Sequence, residues 1–382
     1  MADTAQVHKV ELSYSLAGER ANGRRIRNPL IDLLHAVRER GSISAAATAL
    51  GLSYRHVWGE LRRWEAELAQ PLIVWEKGQP ARLTDFGDKL LWAEQQAQAR
   101  LAPQIEALHA ALERAFAVAF DPSAQVLTLF ASHDEGLTRL RDHAVAAARL
   151  HLDVRFCGSV DAISALNEGR CAVAGFHVSE AARPGGLAQR TYQPLLAPGR
   201  HKLIGFARRT QGLMRAAGNP RQVAALADLA QPGLRFANRA LGSGTRLLLD
   251  ELMQAQGLLP SAIGGYEHTE PSHTAVALAI ASGAADAGLG IEAAAQAHGL
   301  AFVPLLHERY YLVCLKDVLD APATLALRSE LQGAEWQRVL AALPGYEAWL
   351  CGEVLSLREQ LPWWDLPPKR APRVRSRRSA SR

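Results

Sequence analysis

Two glycines, Gly41 and Gly51, each followed closely by a serine, leave room between them for one short helix and nothing longer. Before Gly41, Leu30, Leu33, Leu34 and Val37 recur at helical spacing behind Pro29, a residue suited to a first turn, and the glycine ends that helix. Ser42 or Ser44 is placed to cap the Ala-rich helix that reaches Leu50, where small side chains let a neighbouring helix approach closely. Gly51-Leu52-Ser53 then makes a tight turn, with Ser53 capping a third helix from Tyr54 to about Leu68. Such punctuation forces three short helices with a sharp corner between the second and third.

The third helix divides by face. Val57, Leu61, Trp64 and Leu68 form a core stripe, while Tyr54, Arg55, His56, Arg62 and Arg63 lie elsewhere, as donors to base edges or phosphates if the helix enters a major groove. Pro71 to Trp75 and Ala81 to Thr84 flank Glu76-Lys77-Gly78-Gln79-Pro80, the pattern of a hairpin wing. A long helix follows from Thr84 or Asp85 to about Ala119. Its stripe of Leu90, Leu91, Leu101, Ile105, Leu108 and Leu112 exceeds what a lone helix needs.

A chain of 382 residues suits two domains, one of which has room for two lobes. Its 48% hydrophobic and 21% charged residues are those of a globular protein. Cys157, Cys171, Cys314 and Cys351 form no CxxC pair, which argues against a disulfide framework or a zinc knuckle. No apolar run approaches the roughly 20 residues of a membrane span, and the first residues lack a secretory core, so a cytoplasmic protein without a membrane partner is expected. The net charge of +5 misleads, because seven basic residues lie between Lys369 and Arg382 and the remainder carries −2. That tail reads as solvated and disordered by composition.

After Asp121-Pro122, apolar strand patterns at Val126 to Phe130, His151 to Cys157, Ala172 to Phe176 and Leu203 to Phe206 alternate with helices, which predicts a mostly parallel sheet. A second set contains strands at Leu234 to Ala237, Ala287 to Leu289 and Ala301 to Val303, and a return through Tyr310 to Leu315 gives two lobes crossed twice. Four strand-to-helix junctions hold small donors: Ser132-His133-Asp134, Gly158-Ser159, Ser243-Gly244-Thr245 and Ser272-His273. The first N–H groups of a helix lack partners within it, so such junctions suit an anion, although serine and threonine are also ordinary caps. His133, His177 and His273 have no metal-ligand spacing, and neither a GxSxG elbow, an HExxH motif nor a dinucleotide fingerprint is present. No catalysis, cofactor or metal is expected.

Residues 41–91 resemble the DNA-binding region of LysR-type regulators, and Ser53-Tyr54 with Trp58 is similar to the molybdate-responsive ModE regulators, whose longer Gly-rich wing is replaced here by Lys77-Gly78-Gln79-Pro80. In both families the long helix after the wing pairs two subunits. From about Val126 to Leu350 the chain resembles the periplasmic-binding-protein-like domain found on regulators and beside molybdenum-cofactor proteins; Arg209-Thr210-Gln211, Asn238-Arg239 and the Ser243 to Arg246 loop belong to that likeness. The resemblance implies a winged helix-turn-helix over residues 1–84, a dimerisation helix over 85–120, a two-lobed effector domain of the type II binding-protein kind over 121–360 and a basic tail over 361–382. Ser42, Ser53, Tyr54, Arg55, His56, Arg62, Arg63, Lys77 and Arg82 are the expected contacts to operator DNA. Ser132, His133, Ser159, His177, Asn238, Ser243, Gly244, Thr245, Ser272 and His273 are the expected effector contacts. Molybdate or tungstate is the leading effector, formate or another small carboxylate the alternative, and a homodimer or dimer of dimers the expected assembly. A cytoplasmic anion receptor acting through protein contacts is the rival of another class.

Overall fold

The computed structural model describes residues 29–76, 79–120 and 125–364. In the N-terminal unit α1 (Pro29–Arg40), α2 (Ile43–Leu50) and α3 (Tyr54–Leu68) pack around Leu34, Val37, Ala46, Val57 and Leu61, with β1 (Ile73–Val74) and β2 (Arg82–Leu83) as a short antiparallel wing. Local chemistry sets these boundaries. Ser42 and Ser53 accept hydrogen bonds from the backbone N–H groups of Ala45 and His56, and Gly51, in the left-handed conformation, closes α2. Lys77 lies outside the described residues. α4 (Asp85–Phe120) leads from the wing to the remaining chain.

That part begins with β3 (Gln125–Ala131), α5 (Glu135–Ala148), β4 (Leu150–Phe156), α6 (Ser159–Asn167), β5 (Val173–Ser179), α7 (Leu187–Tyr192) and β6 (His201–Arg215). β7 (Phe236–Arg239), α8 (Gly244–Ala255), β8 (Thr269–Glu270), α9 (His273–Ala281), β9 (Ala287–Ile291), α10 (Glu292–Ala297) and β10 (Ala301–Leu315) form the second half. The chain returns through α11 (Pro322–Gln332), α12 (Ala334–Ala341), β11 (Tyr346–Ala348), β12 (Val354–Leu355) and α13 (Leu357–Gln360). Among the described residues these strands make one curled sheet in the order β4-β3-β5-β10-β6-β9-β7-β8, with β11 and β12 paired to β6. Lobe I holds β3 to β5 and lobe II holds β7 to β9; β6 and β10 pass through both.

The sheet is mixed, and this corrects the expected mostly parallel one. β3 is parallel to β4 and β5, and β7 to β8 and β9, but β6 and β10 run antiparallel to each other along fifteen residues each. The segments Leu203 to Phe206, Ala301 to Val303 and Tyr310 to Leu315 are fragments of those two strands. Arg208 to Gln211 and His307 to Arg309 interrupt the apolar pattern because they lie where the strands cross between lobes, and Arg209, Gln211 and Glu308 are buried there. The strand expected at Leu234 begins at Phe236. At the other end, Leu361 and Trp363 are buried in a core with Phe176, Tyr192 and Tyr311, so packed chain extends past the expected start of the tail.

The returning segment lies tightly across the crossing strand. Gly205 N–H donates to the Glu353 carbonyl at 3.0 Å and Gly352 N–H donates to the Gly205 carbonyl at 2.9 Å. A Cβ at Gly205 would sit 2.0 Å from the Leu350 carbonyl oxygen. Gly205→Ala is therefore expected to lift the strap and destabilise the protein by about 1–3 kcal/mol, read from the midpoint of a urea unfolding curve against Gly199→Ala, whose added Cβ meets open space but a positive φ.

Candidate functional site

A buried charged network lies between the lobes. Arg209 of β6 donates to both Glu308 of β10 and Asp134, the N-cap of α5. Asp134 also accepts from Tyr346 Oη at 2.5 Å and from Leu137 N–H at 3.1 Å. Burial alone would lower the pKa of the guanidinium, but Glu308 and Asp134 hold it well above its ordinary value. Gln211 Nε2 donates to Glu308 at 3.0 Å and to Thr245 Oγ1 at 3.1 Å, carrying the network from the crossing strands to α8 of the second lobe.

Around this network four helix N-termini approach one another. Ser132 and Ser159 bring their hydroxyls within 3.5 Å at the starts of α5 and α6. A Cβ at Gly158 would lie 2.7 Å from the Gly242 carbonyl oxygen, and one at Gly244 would lie 2.2 Å from His177 Nε2, so the lobes touch where α6 and β5 face α8. Thr245 Oγ1 lies 3.5 Å from Nε2 of His273, the first residue of α9. Beside them opens a cavity of about 420 Å³. His133, Asp134, Glu135 and Arg139 line it from one lobe, His273, Thr274 and α10 from the other, and Ile291, Ala293, Leu343 and Pro344 supply apolar wall.

The cleft holds polar atoms with no protein partner. Both nitrogens of His177, Nδ1 of His273, Oε1 of Gln211 and Oη of Tyr310 are buried without a hydrogen bond. Burial, reinforced by the charge of Arg209, pushes His177 well below the usual imidazole range. Burial and then the charges of Arg239 and Arg209 do the same to His273. Each is a neutral ring with one donor and one acceptor.

The expected effector residues divide into two groups. Ser132, His133, Ser159, His177, Gly244, Thr245 and His273 come together at the interlobe surface. Ser243, Ser272 and Asn238 are occupied by scaffolding: Ser243 Oγ accepts from Arg246 N–H and donates to the Ala240 carbonyl, Ser272 Oγ accepts from Ala275 N–H, and the Asn238 amide joins Tyr266 and Arg239. Sequence reasoning did not place Arg209, Gln211, Glu308, Tyr310 and Tyr346 in the site. The polar interruption of two apolar strands signalled Arg209, Gln211 and Glu308, and the first two also lay in the family likeness, whereas nothing signalled Tyr310 or Tyr346.

On the N-terminal unit, Tyr54, Arg55, His56, Arg62, Arg63 and Arg82 are exposed. Arg62 pairs with Glu65 at 2.9 Å and lies over the Trp58 ring, and Arg63 pairs with Glu60 at 2.5 Å. Among the described residues Arg55 and Arg82 carry no ion pair. Ser42 and Ser53 are engaged as caps. α4 touches both lobes. Arg100 makes a two-point bridge to buried Glu270 at 2.9 and 2.6 Å, while Glu106 accepts from Thr138 at 3.1 Å and lies 3.5 Å from His133. No helix among the described residues is long and apolar enough to cross a membrane.

Residues 140–332 match the PBP superfamily domain, and residues 30–88 match the bacterial regulatory helix-turn-helix protein, lysR family. The chain is 29% identical to the uncharacterized protein YvgK of Bacillus subtilis over 62% of its own length and 75% of that protein. It is 33% identical to an uncharacterized protein in the ferredoxin 2Fe-2S gene 5' region of Clostridium pasteurianum, over 29% of its length and 98% of the relative. Among solved structures, ArgP from Mycobacterium tuberculosis is 21% identical over 80% of this chain and 97% of that one, with a TM-score of 0.38. Full-length LysG from Corynebacterium glutamicum with bound effector Arg is 17% identical over 80% and 96%, with a TM-score of 0.36.

The two neutral histidines give the cleft a pH signature. The unfolded chain takes up protons on them below about pH 6.5 while the native cleft refuses them, so stability is lost as pH falls, by about 1.4 kcal/mol per pH unit for each ring. Urea unfolding between pH 7.5 and 5 is expected to show this decline, and His273→Gln to reduce its slope by about one proton.

Proposed function

This chain belongs to the PBP superfamily and, with its LysR-family helix-turn-helix, is a DNA-binding transcriptional regulator with an effector-binding domain; we propose that its effector is a small oxyanion, molybdate or tungstate. One observation carries that reading. Helix N-termini from two lobes, α5 and α6 against α8 and α9, meet around buried neutral donors that have no protein partner. A tetrahedral oxyanion offers many acceptor positions, and preorganised N–H, hydroxyl and imidazole donors satisfy them with little formal charge. Formate or a small carboxylate is the second reading, favoured by the apolar wall of Ile291, Ala293, Leu343 and Pro344, which suits a ligand with an organic body.

In this reading the protein acts in the cytoplasm on operator DNA. α3 lies in the major groove with Tyr54, Arg55 and His56 toward base edges, while Arg62, Arg63 and the wing residues Lys77 and Arg82 serve phosphates. Two copies pair through α4, whose Leu101 and Leu108 are exposed one heptad apart, and the dimer spans two half-sites or doubles into a tetramer. The effector acts by changing the relation of two lobes that α4 contacts separately, through Arg100 and Glu106.

Two experiments test this. Calorimetric titration of the full chain with molybdate, tungstate, sulfate, phosphate and formate identifies the effector class, and Thr245→Val is expected to weaken the binding ion by about 1–3 kcal/mol. No heat with any of the five rejects the reading. Selection from a random duplex library followed by salt-dependent binding tests the DNA face: Arg55→Ala should cost about 1–3 kcal/mol and relax one base position. Absence of salt-dependent duplex binding would favour instead a receptor that works through protein contacts.

A further inference from the structure

We infer that the buried guanidinium of Arg239 is the countercharge of the interlobe site, so that the effector must present net negative charge to the carboxyl end of β7. This deepens the proposed function and rests on the reading of the cleft as an effector site. Arg239 ends β7, on the side of the sheet where lobe II turns into the loop that starts α8. It is 3% exposed. Nη1 donates to the Glu270 carbonyl at 3.1 Å, and Nε is buried without a partner.

Among the described residues no carboxylate makes an ion pair with it, and Glu270, whose charge favours its protonated form, is engaged elsewhere. The Glu270 side chain is held by the two-point bridge from Arg100 and lies 3.4 Å from His268. Asp134 and Glu308 are both held by Arg209. Arg246, also buried at 6% exposed, shows the contrast: it pairs with Asp250 at 3.3 Å and lies over the Tyr266 ring at 3.9 Å. Removing a guanidinium from water without an acidic partner carries a large desolvation cost. Burial, then repulsion from Arg209, brings Arg239 down to about 9 even though the charge of Glu270 acts the other way.

Arg239 stands behind the cavity wall, since it bonds the Glu270 carbonyl two residues before the Ser272 cap of α9, whose His273 lines the cavity. Arg239 is the strongest charged influence on His273, which lines the cavity, and it also acts on His177 of the opposite lobe. A bound anion would therefore meet neutral donors from helix ends and one cation at the lobe II strand ends. Bonding to the Glu270 carbonyl alone does not require arginine, since an uncharged amide serves it equally.

The test compares the full wild-type chain with Arg239→Met and Arg239→Lys, by thermal unfolding without ligand and by titration with molybdate and formate. Arg239→Met is expected to melt about 3–6 °C higher without ligand, because the unneutralised charge is gone, and to bind about a hundredfold more weakly. Arg239→Lys is expected to recover binding to within about tenfold of wild type. A lower melting temperature with unchanged affinity makes Arg239 a structural residue and overturns the proposal, and so does a higher one with unchanged affinity. If the wild-type chain binds neither ion, the oxyanion reading falls by itself. The ligand-free melting temperatures then judge only the premise: a rise in Arg239→Met upholds an unneutralised charge at the end of β7, and a fall overturns the proposal.

Discussion

The structure turns on one guanidinium shared by two carboxylates. Arg209 joins a cap of lobe I, Asp134, to Glu308 on the opposite crossing strand, and Tyr346 of the returning strap closes the group from outside. Buried ions cost several kcal/mol each in desolvation, so a network of this kind is a poor source of net stability unless every member is bonded. Its effect is geometric. The donors of Arg209 are planar and fixed in direction, and so they set the position of α5 relative to the two strands that both lobes share. Whatever movement the lobes make must pivot around this point or break it.

α4 is the second constraint. Arg100 and Glu106 are six residues apart, about 9 Å along a helix, yet one grips Glu270 of lobe II and the other Thr138 of lobe I. Ala99 and Trp92 pack against Ala275 and Leu278 of α9, and Arg114 reaches buried Asp153 of β4 at 3.1 Å. A helix fastened to both lobes, with Pro103 between its two anchors, responds to their separation. Because the same helix begins at the wing, DNA and effector have a physical route by which each biases the other, and any such coupling is reciprocal.

How much of this the sequence revealed depends on the range of the forces involved. Local signals served well: Ser53 and Tyr54 mark the start of α3 because a cap and its helix are neighbours, and the bounds of α2 follow from Ser42 and Gly51 in the same way. Both lobes, and their two crossings, were legible from alternating strands and helices. The crossing strands themselves were seen only in pieces, since Arg209 and Glu308 look in sequence like solvated charge. What buries them is a pairing across 99 residues, with Asp134 a further 75 residues upstream of Arg209. The same limit applied to the donors. Thr245, His177 and His273 reached the cleft, but Ser243 and Ser272 turned to their own backbone and Asn238 to the Tyr266 carbonyl, a choice that composition alone does not record.

The unpartnered atoms of His177, His273, Gln211 and Tyr310 then have a thermodynamic meaning. Each buried donor or acceptor without a partner costs about 1–3 kcal/mol, a cost carried by the arrangement in which Arg209 fixes α5 against the crossing strands and Gly158 lies close to Gly242. A ligand that bonds those atoms stabilises the closed form selectively, because an open cleft would let water reach them instead. Its leverage on the lobes equals that difference in binding free energy between the two forms. A ligand that contacts only the apolar wall at Ile291 and Leu343, without engaging the buried donors, gains little from closure and shifts the equilibrium little however tightly it binds. In the proposed reading the polar interior, rather than the volume of the cavity, is therefore what would convert occupancy into a change that α4 carries to the helix-turn-helix unit.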